Sequence, residues 1–317
     1  MNVLITGAAG FIGSHLAERL LATTDYRLTC VDNFCDFYAV ERKHENIKGF
    51  RDSQRVTFVE ADIGDAVAMS AVFDEADPEA IVHLAAHAGV SPSVANPRRY
   101  FENNVCGTLN LLECARRRGV ERFLYISSST VYGKGCDAPF REDAPLGIQA
   151  SPYGASKRAA ELLCLTYQEL HGVPAVILRP FSVYGPRLRP DLALSVFANR
   201  ILRGEPITVY GDGTVRRDFT HVRDICGGIQ AAITSPEALG HCINLGHSQP
   251  LEMNEVLELL QSALGRRATI DYRAGRREDM PITHADLSKA RRLLGFNAET
   301  PFDRGLQEFA SWRQSQV

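Results

Sequence analysis

The 317 residues carry 35 basic and 38 acidic side chains, a formal charge of −3, which excludes a whole-chain field suited to nucleic acid or an anionic membrane; any anion must be recognised locally. A chain this long buries a core without cross-links, and its eight cysteines show neither C-x-x-C pairs nor dense spacing, so they read as reduced thiols. The start "MNVLITGAAG" has no basic region before an apolar signal core, and no apolar run reaches the roughly 18 residues of a membrane span, so the cytoplasm is the expected compartment.

In chain order, "NVLIT" is followed by the helical pattern "SHLAERLLAT", and then come the β-rich runs "RLTCVD", "RVTFVEAD" and "AIVHLAA". A helix is expected from Arg98 to Arg118, where Val105, Leu109, Leu112 and Ala115 recur at helical spacing and Gly119 ends it. "RFLYISSS" and "AVILRP" read as strands, with a helix from about Tyr153 to Leu170 between them. This alternation predicts an α/β fold, a Rossmann-type doubly wound parallel sheet, over residues 1–180.

Beyond Pro180, prolines and glycines punctuate shorter elements, with helical patterns near 192–203, 253–264 and 286–294. Residues 181–317 are therefore expected to form a smaller C-terminal α/β lobe that binds substrate. "HCINLG" at 241–246 reads as a buried strand returning to the first sheet.

Between the first strand and first helix, "GAAGFIG" spaces Gly7, Gly10 and Gly13 for a tight turn that brings backbone close to a pyrophosphate at a helix N-terminus. Asp32 ends the second strand about twenty residues on, where a carboxylate accepts both hydroxyls of an adenosine ribose and repels a 2′-phosphate; NAD is thus expected over NADP. Asp62, ending the third strand, is placed near the adenine or caps a helix. "SPYGASK" sets Tyr153 and Lys157 one helical turn apart, and an ammonium beside a phenol favours the phenolate that a general base for a sugar hydroxyl needs. The hydroxyl run Ser127 to Thr130 follows a strand at the end where open parallel sheets bind ligands. No Ser/His/Asp arrangement is legible and the nine histidines lack metal-ligand spacing, so no metal is expected.

Taken together, "GAAGFIG", "VDNF", "HLAA", "NNVCGT", "SSSTVYG", "SPYGASK", "LRPFSVYGPRLRPD", "GDGTVRRDFTHVRD" and "INLG" resemble the extended short-chain dehydrogenase/reductase family of nucleotide-sugar epimerases and dehydratases. Within it, "DNFCDFY", "GPRLRPD" and "PITHADLSKARRLLGF" look most like UDP-glucuronate 4-epimerases. The resemblance implies Tyr153 as base, Lys157 as its partner and ribose ligand, and Ser128 as the hydroxyl assisting Tyr153. It implies cofactor contacts from Gly7, Gly10, Phe11, Ile12, Gly13, Asp32, Asn33, Asp62 and Ile63, and from Leu84, Ala85, Ala86, Asn104 and Pro180. Substrate contacts are implied for Ser128, Ser129 and Ser182, for Arg217 on the pyrophosphate, and for Arg276 with Asp279 on the phosphates and uridine ribose. The helices over 98–118 and 153–170 are where related proteins dimerise, so a homodimer is expected.

The implied reaction is 4-epimerisation of a UDP-sugar through a 4-keto intermediate, with UDP-glucuronate to UDP-galacturonate foremost. A glucuronate substrate passes through a β-keto acid, and a guanidinium holding its carboxylate would keep it from losing CO₂; Arg189 is the expected clamp, with Arg187 a helper or a solvated neighbour. Dehydratases of the family carry an Asp-Glu pair where Ser129 and Thr130 stand, so dehydration is not expected. Some glucuronate epimerases have Arg where this chain has Ser91, a departure that leaves UDP-glucose/UDP-galactose or UDP-N-acetylhexosamine epimerisation, and UDP-glucuronate decarboxylation, as alternatives.

Overall fold

The computed structural model describes residues 1–276 and 279–316. The first half alternates strands β1 (Asn2–Thr6), β2 (Arg27–Asp32), β3 (Val56–Glu60), β4 (Ala80–His83), β5 (Arg122–Ile126) and β6 (Ala175–Pro180) with helices. Those helices are α1 (Phe11–Thr23), α2 (Val40–Ile47), α3 (Ala66–Ala76), α4 (Val90–Ala95), α5 (Pro97–Phe101), α6 (Gly107–Arg118) and α7 (Pro152–His171). The second half holds β7 (Ser182–Tyr184), α8 (Ala193–Arg203), β8 (Ile207–Tyr210), β9 (Arg216–His221), α9 (Val222–Thr234) and β10 (Cys242–Leu245). It ends with β11 (Pro250–Glu252), α10 (Met253–Leu264), β12 (Ile270–Arg273), α11 (Ser288–Leu294) and α12 (Phe302–Gln314).

Seven parallel strands form the main sheet in the order β3-β2-β1-β4-β5-β6-β10. All but the edge strand β3 bury both faces: Val3 and Ile5 point into one apolar cluster and Leu4 between them into the other, as do Ala80 and Val82 against Ile81. The expected returning strand is β10, paired alongside β6 with Cys242 opposite Ile177. Chain order reverses between β1 and β4, which opens a crevice at their C-terminal ends. A second sheet, β11-β9-β7, starts from the main sheet's edge: β7 follows β6, β9 precedes α9, and β11 follows β10.

Several elements differ from the sequence expectation. The helix predicted over 98–118 is interrupted by a π-helical turn at Glu102–Cys106, a widening that periodicity cannot register. It buries Asn104, whose Oδ1 accepts from the His87 amide and whose Nδ2 donates to the His87 carbonyl and to Ser156 Oγ. Helices α9 and α12 form where no helical pattern was picked out.

Candidate active site

The crevice is a cavity of about 530 Å³. Its floor is the turn after β1. Gly7 takes φ +72°, and a Cβ there would come within 2.7 Å of the Ala85 amide nitrogen; one on Gly13 would collide with the Gly7 carbonyl. Gly10 caps α1, and Phe11, Ile12 and Gly13 fill its first turn, whose amides find no carbonyl within their own helix. This cradle fits the pyrophosphate of a dinucleotide. Asp32 stands at the adjoining strand end, its carboxylate oriented by the amides of Ala9 (3.1 Å) and Phe34 (2.9 Å).

The reacting groups converge on the same cavity. Ser151 caps α7 by accepting from the Gly154 amide, and this start aims Tyr153 and Lys157 at the end of β5. Burial pushes the Tyr153 phenol up; a hydrogen bond with Ser128 and the Arg189 cation oppose it. The expected lowering by Lys157 is not what the protein's own groups produce. Lys157 Nζ donates to the Ile126 carbonyl at 2.6 Å and lies 4.4 Å from the Tyr125 ring centroid. Burial brings this lysine down to about 7, against the opposing pull of Glu161.

The loop "FSVYGPRLRPD" separates its two arginines. Arg187, at φ +65°, turns to helix α1 and pairs with Glu18 at 2.6 Å; beside it His15 Nε2 donates to the Pro186 carbonyl. Arg187 therefore fastens the loop and lies outside the cavity lining. Arg189 lines the cavity, stacks 5.0 Å from the Phe37 ring, grips Asp191 through Nε and Nη2, and donates to the Ala88 carbonyl.

Of the other expected residues, Asn33, Ile63, Leu84, Ala85, Ala86 and Pro180 line the cavity, as do Ser128, Ser129, Ser182, Arg217 and Asp279. Three do not. Asp62 turns to Asn33 Nδ2 and the Gly64 amide. Asn104 sits behind the wall, holding the loop after β4. Arg276 is exposed, stacked 3.6 Å from the Tyr210 ring centroid, and donates to Ser91 Oγ at 3.1 Å. An arginine thus reaches the Ser91 position, but from across the cleft.

Sequence reasoning missed Lys43, which is buried and 3.4 Å from Asp32 Oδ1 in the cavity wall. Its signal was a charge three and four residues before the buried Asn46 and Ile47 on α2. Among the described residues no cluster of His, Cys, Asp or Glu could hold a metal ion, and no helix is long and apolar enough to cross a membrane.

A dinucleotide cradle at a switch point, with a tyrosine and a lysine at the neighbouring strand ends, defines an oxidoreductive enzyme that works on a hydroxyl or its carbonyl. Residues 3–246 match the model of the NAD dependent epimerase/dehydratase family, and the chain belongs to it. It is 38% identical over 316 residues to the UDP-glucuronate 4-epimerase of Thermodesulfobacterium geofontis (strain OPF15), covering 99% of this chain and 96% of that one. The crystal structure of UDP-glucuronic acid 4-epimerase from Bacillus cereus in complex with UDP-glucuronic acid and NAD aligns over all of both chains with TM-score 0.95 and 34% identity. A dTDP-glucose 4,6-dehydratase from Streptomyces venezuelae with NAD bound gives TM-score 0.93 at 30% identity, covering 99% of this chain and 97% of its own.

Proposed function

We propose that the protein is an NAD-dependent 4-epimerase that interconverts UDP-glucuronate and UDP-galacturonate. The observation that carries this reading is that Tyr153, Ser128 and Arg189 share one cavity with the glycine cradle. The kinship with UDP-glucuronate 4-epimerases supports it.

NAD, when bound, supplies the reversible oxidation at sugar C4. The cradle from Gly7 to Gly13 would hold its pyrophosphate, Asp32 with Lys43 its adenosine ribose, and Lys157 its second ribose. Tyr153 takes the proton from the 4-hydroxyl and returns one to the 4-keto intermediate; the Ser128 hydroxyl shares that hydrogen bond. Arg217 faces the substrate's diphosphate and Asp279 its uridine ribose. Arg276, which stacks on Tyr210 and donates to Ser91 Oγ at the cleft edge, joins Asp279 in the proposed contacts to the phosphates and uridine ribose.

With Nε and Nη2 of Arg189 engaged, Nη1 is the nitrogen that meets the sugar carboxylate. Held there, the carboxylate bond stays out of line with the carbonyl π system, and CO₂ is retained. We further assign the protein to the cytoplasm, supported by eight unpaired cysteines, and to a homodimer built on α6 and α7. The testing experiment incubates the protein separately with UDP-glucuronate, UDP-glucose and UDP-N-acetylglucosamine and resolves the products. UDP-galacturonate from the first alone is expected; UDP-xylose with CO₂, or turnover of only a neutral sugar, overturns the reading.

A further inference from the structure

Behind the reacting tyrosine lies a buried charge network that the mechanism above does not use. Glu161 follows Lys157 by one turn of α7 and is fully buried. Its Oε1 accepts from Ser127 Oγ at 2.6 Å and Arg179 Nε at 2.8 Å. Its Oε2 accepts from Arg179 Nη2 at 2.9 Å and Arg158 Nη1 at 3.0 Å.

These donors belong to the three segments that carry the reaction. Ser127 immediately precedes Ser128 at the end of β5. Arg179 immediately precedes Pro180 at the end of β6. Arg158 and Glu161 share α7 with Tyr153 and Lys157. One carboxylate ties all three, where small misplacements cost rate. We propose that Glu161 is a positioning residue for this reaction: it holds the ends of β5 and β6 in register with α7, and its negative charge keeps Lys157 an ammonium beside Tyr153.

The surroundings of Lys157 leave that second task to Glu161. From β5 it meets the Ile126 carbonyl and the face of Tyr125. From β4 it faces His83, which burial keeps neutral. On its own helix it faces Cys164 and Glu161. Tyr125 and Cys164 are both held far above neutrality by burial, leaving Glu161 as the anion. Neither Glu161 nor Lys157 is among the charges that shift the Tyr153 phenol in the protein alone, so the proposed link runs from Glu161 through the Lys157 ammonium, one helical turn from Tyr153, and is read in the tyrosinate titration.

The inference rests on Tyr153 and Lys157 being the reacting pair, and the test separates the two ideas. Glu161→Gln is compared with the unaltered enzyme, both NAD-loaded, for turnover of UDP-glucuronate between about pH 5 and pH 10. Tyrosinate absorption, taken against Tyr153→Phe, is followed without any sugar. In Glu161→Gln the lysine limb of the pH–rate profile moves to lower pH and the tyrosine limb to higher pH, each by about one unit, because a buried neighbouring charge is worth that much. Lys157 loses its proton earlier, and the Tyr153 phenolate, lacking its cation, forms later.

At the optimum, kcat falls about ten-fold with KM changed less than about two-fold. Glu161→Asp, which keeps the charge, returns both limbs to their original positions. Arg158→Ala, which removes a half-exposed cation from the carboxylate, moves the lysine limb upward and remains informative if Glu161→Gln does not fold. Limbs that stay fixed in Arg158→Ala, or a Glu161→Gln that loses amplitude without moving them, overturn the proposal. If the unaltered enzyme leaves UDP-glucuronate untouched, the substrate reading fails while the sugar-free tyrosinate titration still decides the role of Glu161.

Discussion

Tyr153 begins from an unfavourable place for a base, since burial raises its phenol and the nearest lysine is itself depressed to about 7. Its advantage is position, and a phenol removed from that position cannot be replaced by water. Tyr153→Phe is expected to lower kcat by about three orders of magnitude while NAD binding, followed by calorimetry, stays intact. Arg189→Ala is expected to release CO₂ and UDP-xylose from UDP-glucuronate, or to lose the preference for a carboxylated sugar; unchanged products and selectivity would return the residue to a purely structural role with Asp191. At this scale the sequence was informative where chemistry imposes a spacing, as between Tyr153 and Lys157. It was silent at Lys43 and Glu161, because a buried charge on an amphipathic helix looks like a surface charge until its partners, distant in sequence, are known. The same limit applied to the loop arginines: only the fold shows that Glu18 claims Arg187 and leaves Arg189 to the cavity.

Strand β4 ends on His83, which joins three elements. Thr108 on α6 donates its hydroxyl to the Asn104 carbonyl, so it accepts from His83 Nε2, while Thr6 at the end of β1 donates to Nδ1. The ring is fixed as the neutral tautomer, and burial lowers it from 6.5 to about 3. The unfolded chain therefore binds a proton near pH 6.5 that the native chain refuses, so stability present above that pH is lost as pH falls toward 3. Urea titrations between about pH 6 and pH 4 should show the slope of stability against pH smaller by about 1.4 kcal/mol per unit in His83→Gln. The inner strands of the main sheet were legible because each is a short apolar run buried on both faces. Helices α9 and α12 were not, since each carries glycine inside it, at Gly228 and Gly305. A Cβ on Gly228 would press on Leu245 and Phe296, so tertiary packing, not helix propensity, selects the residue there.

For the whole molecule, the exposed apolar side chains include Phe101 on α5, Leu109 on α6 and Leu162 on α7, where α5 and α6 each pack against α7. Leu162→Glu is expected to convert a dimer into a monomer in sedimentation experiments; a wild-type chain that sediments as a monomer would remove the dimer from the proposal. The alternation of β-rich runs with helical patterns was enough to anticipate the large parallel sheet, but not how the second half attaches, because β7, β9 and β11 are short and pair only across long stretches of chain.

That attachment has a mechanical consequence. The chain crosses from the large sheet to the substrate side after β6, comes back before α9, and crosses again after β10; the three crossings are themselves hydrogen-bonded side by side as β7, β9 and β11. The two halves are thus joined by a braced neck rather than a flexible tether. Swinging one half against the other would strain that ladder, so a hinge between them would act against the brace.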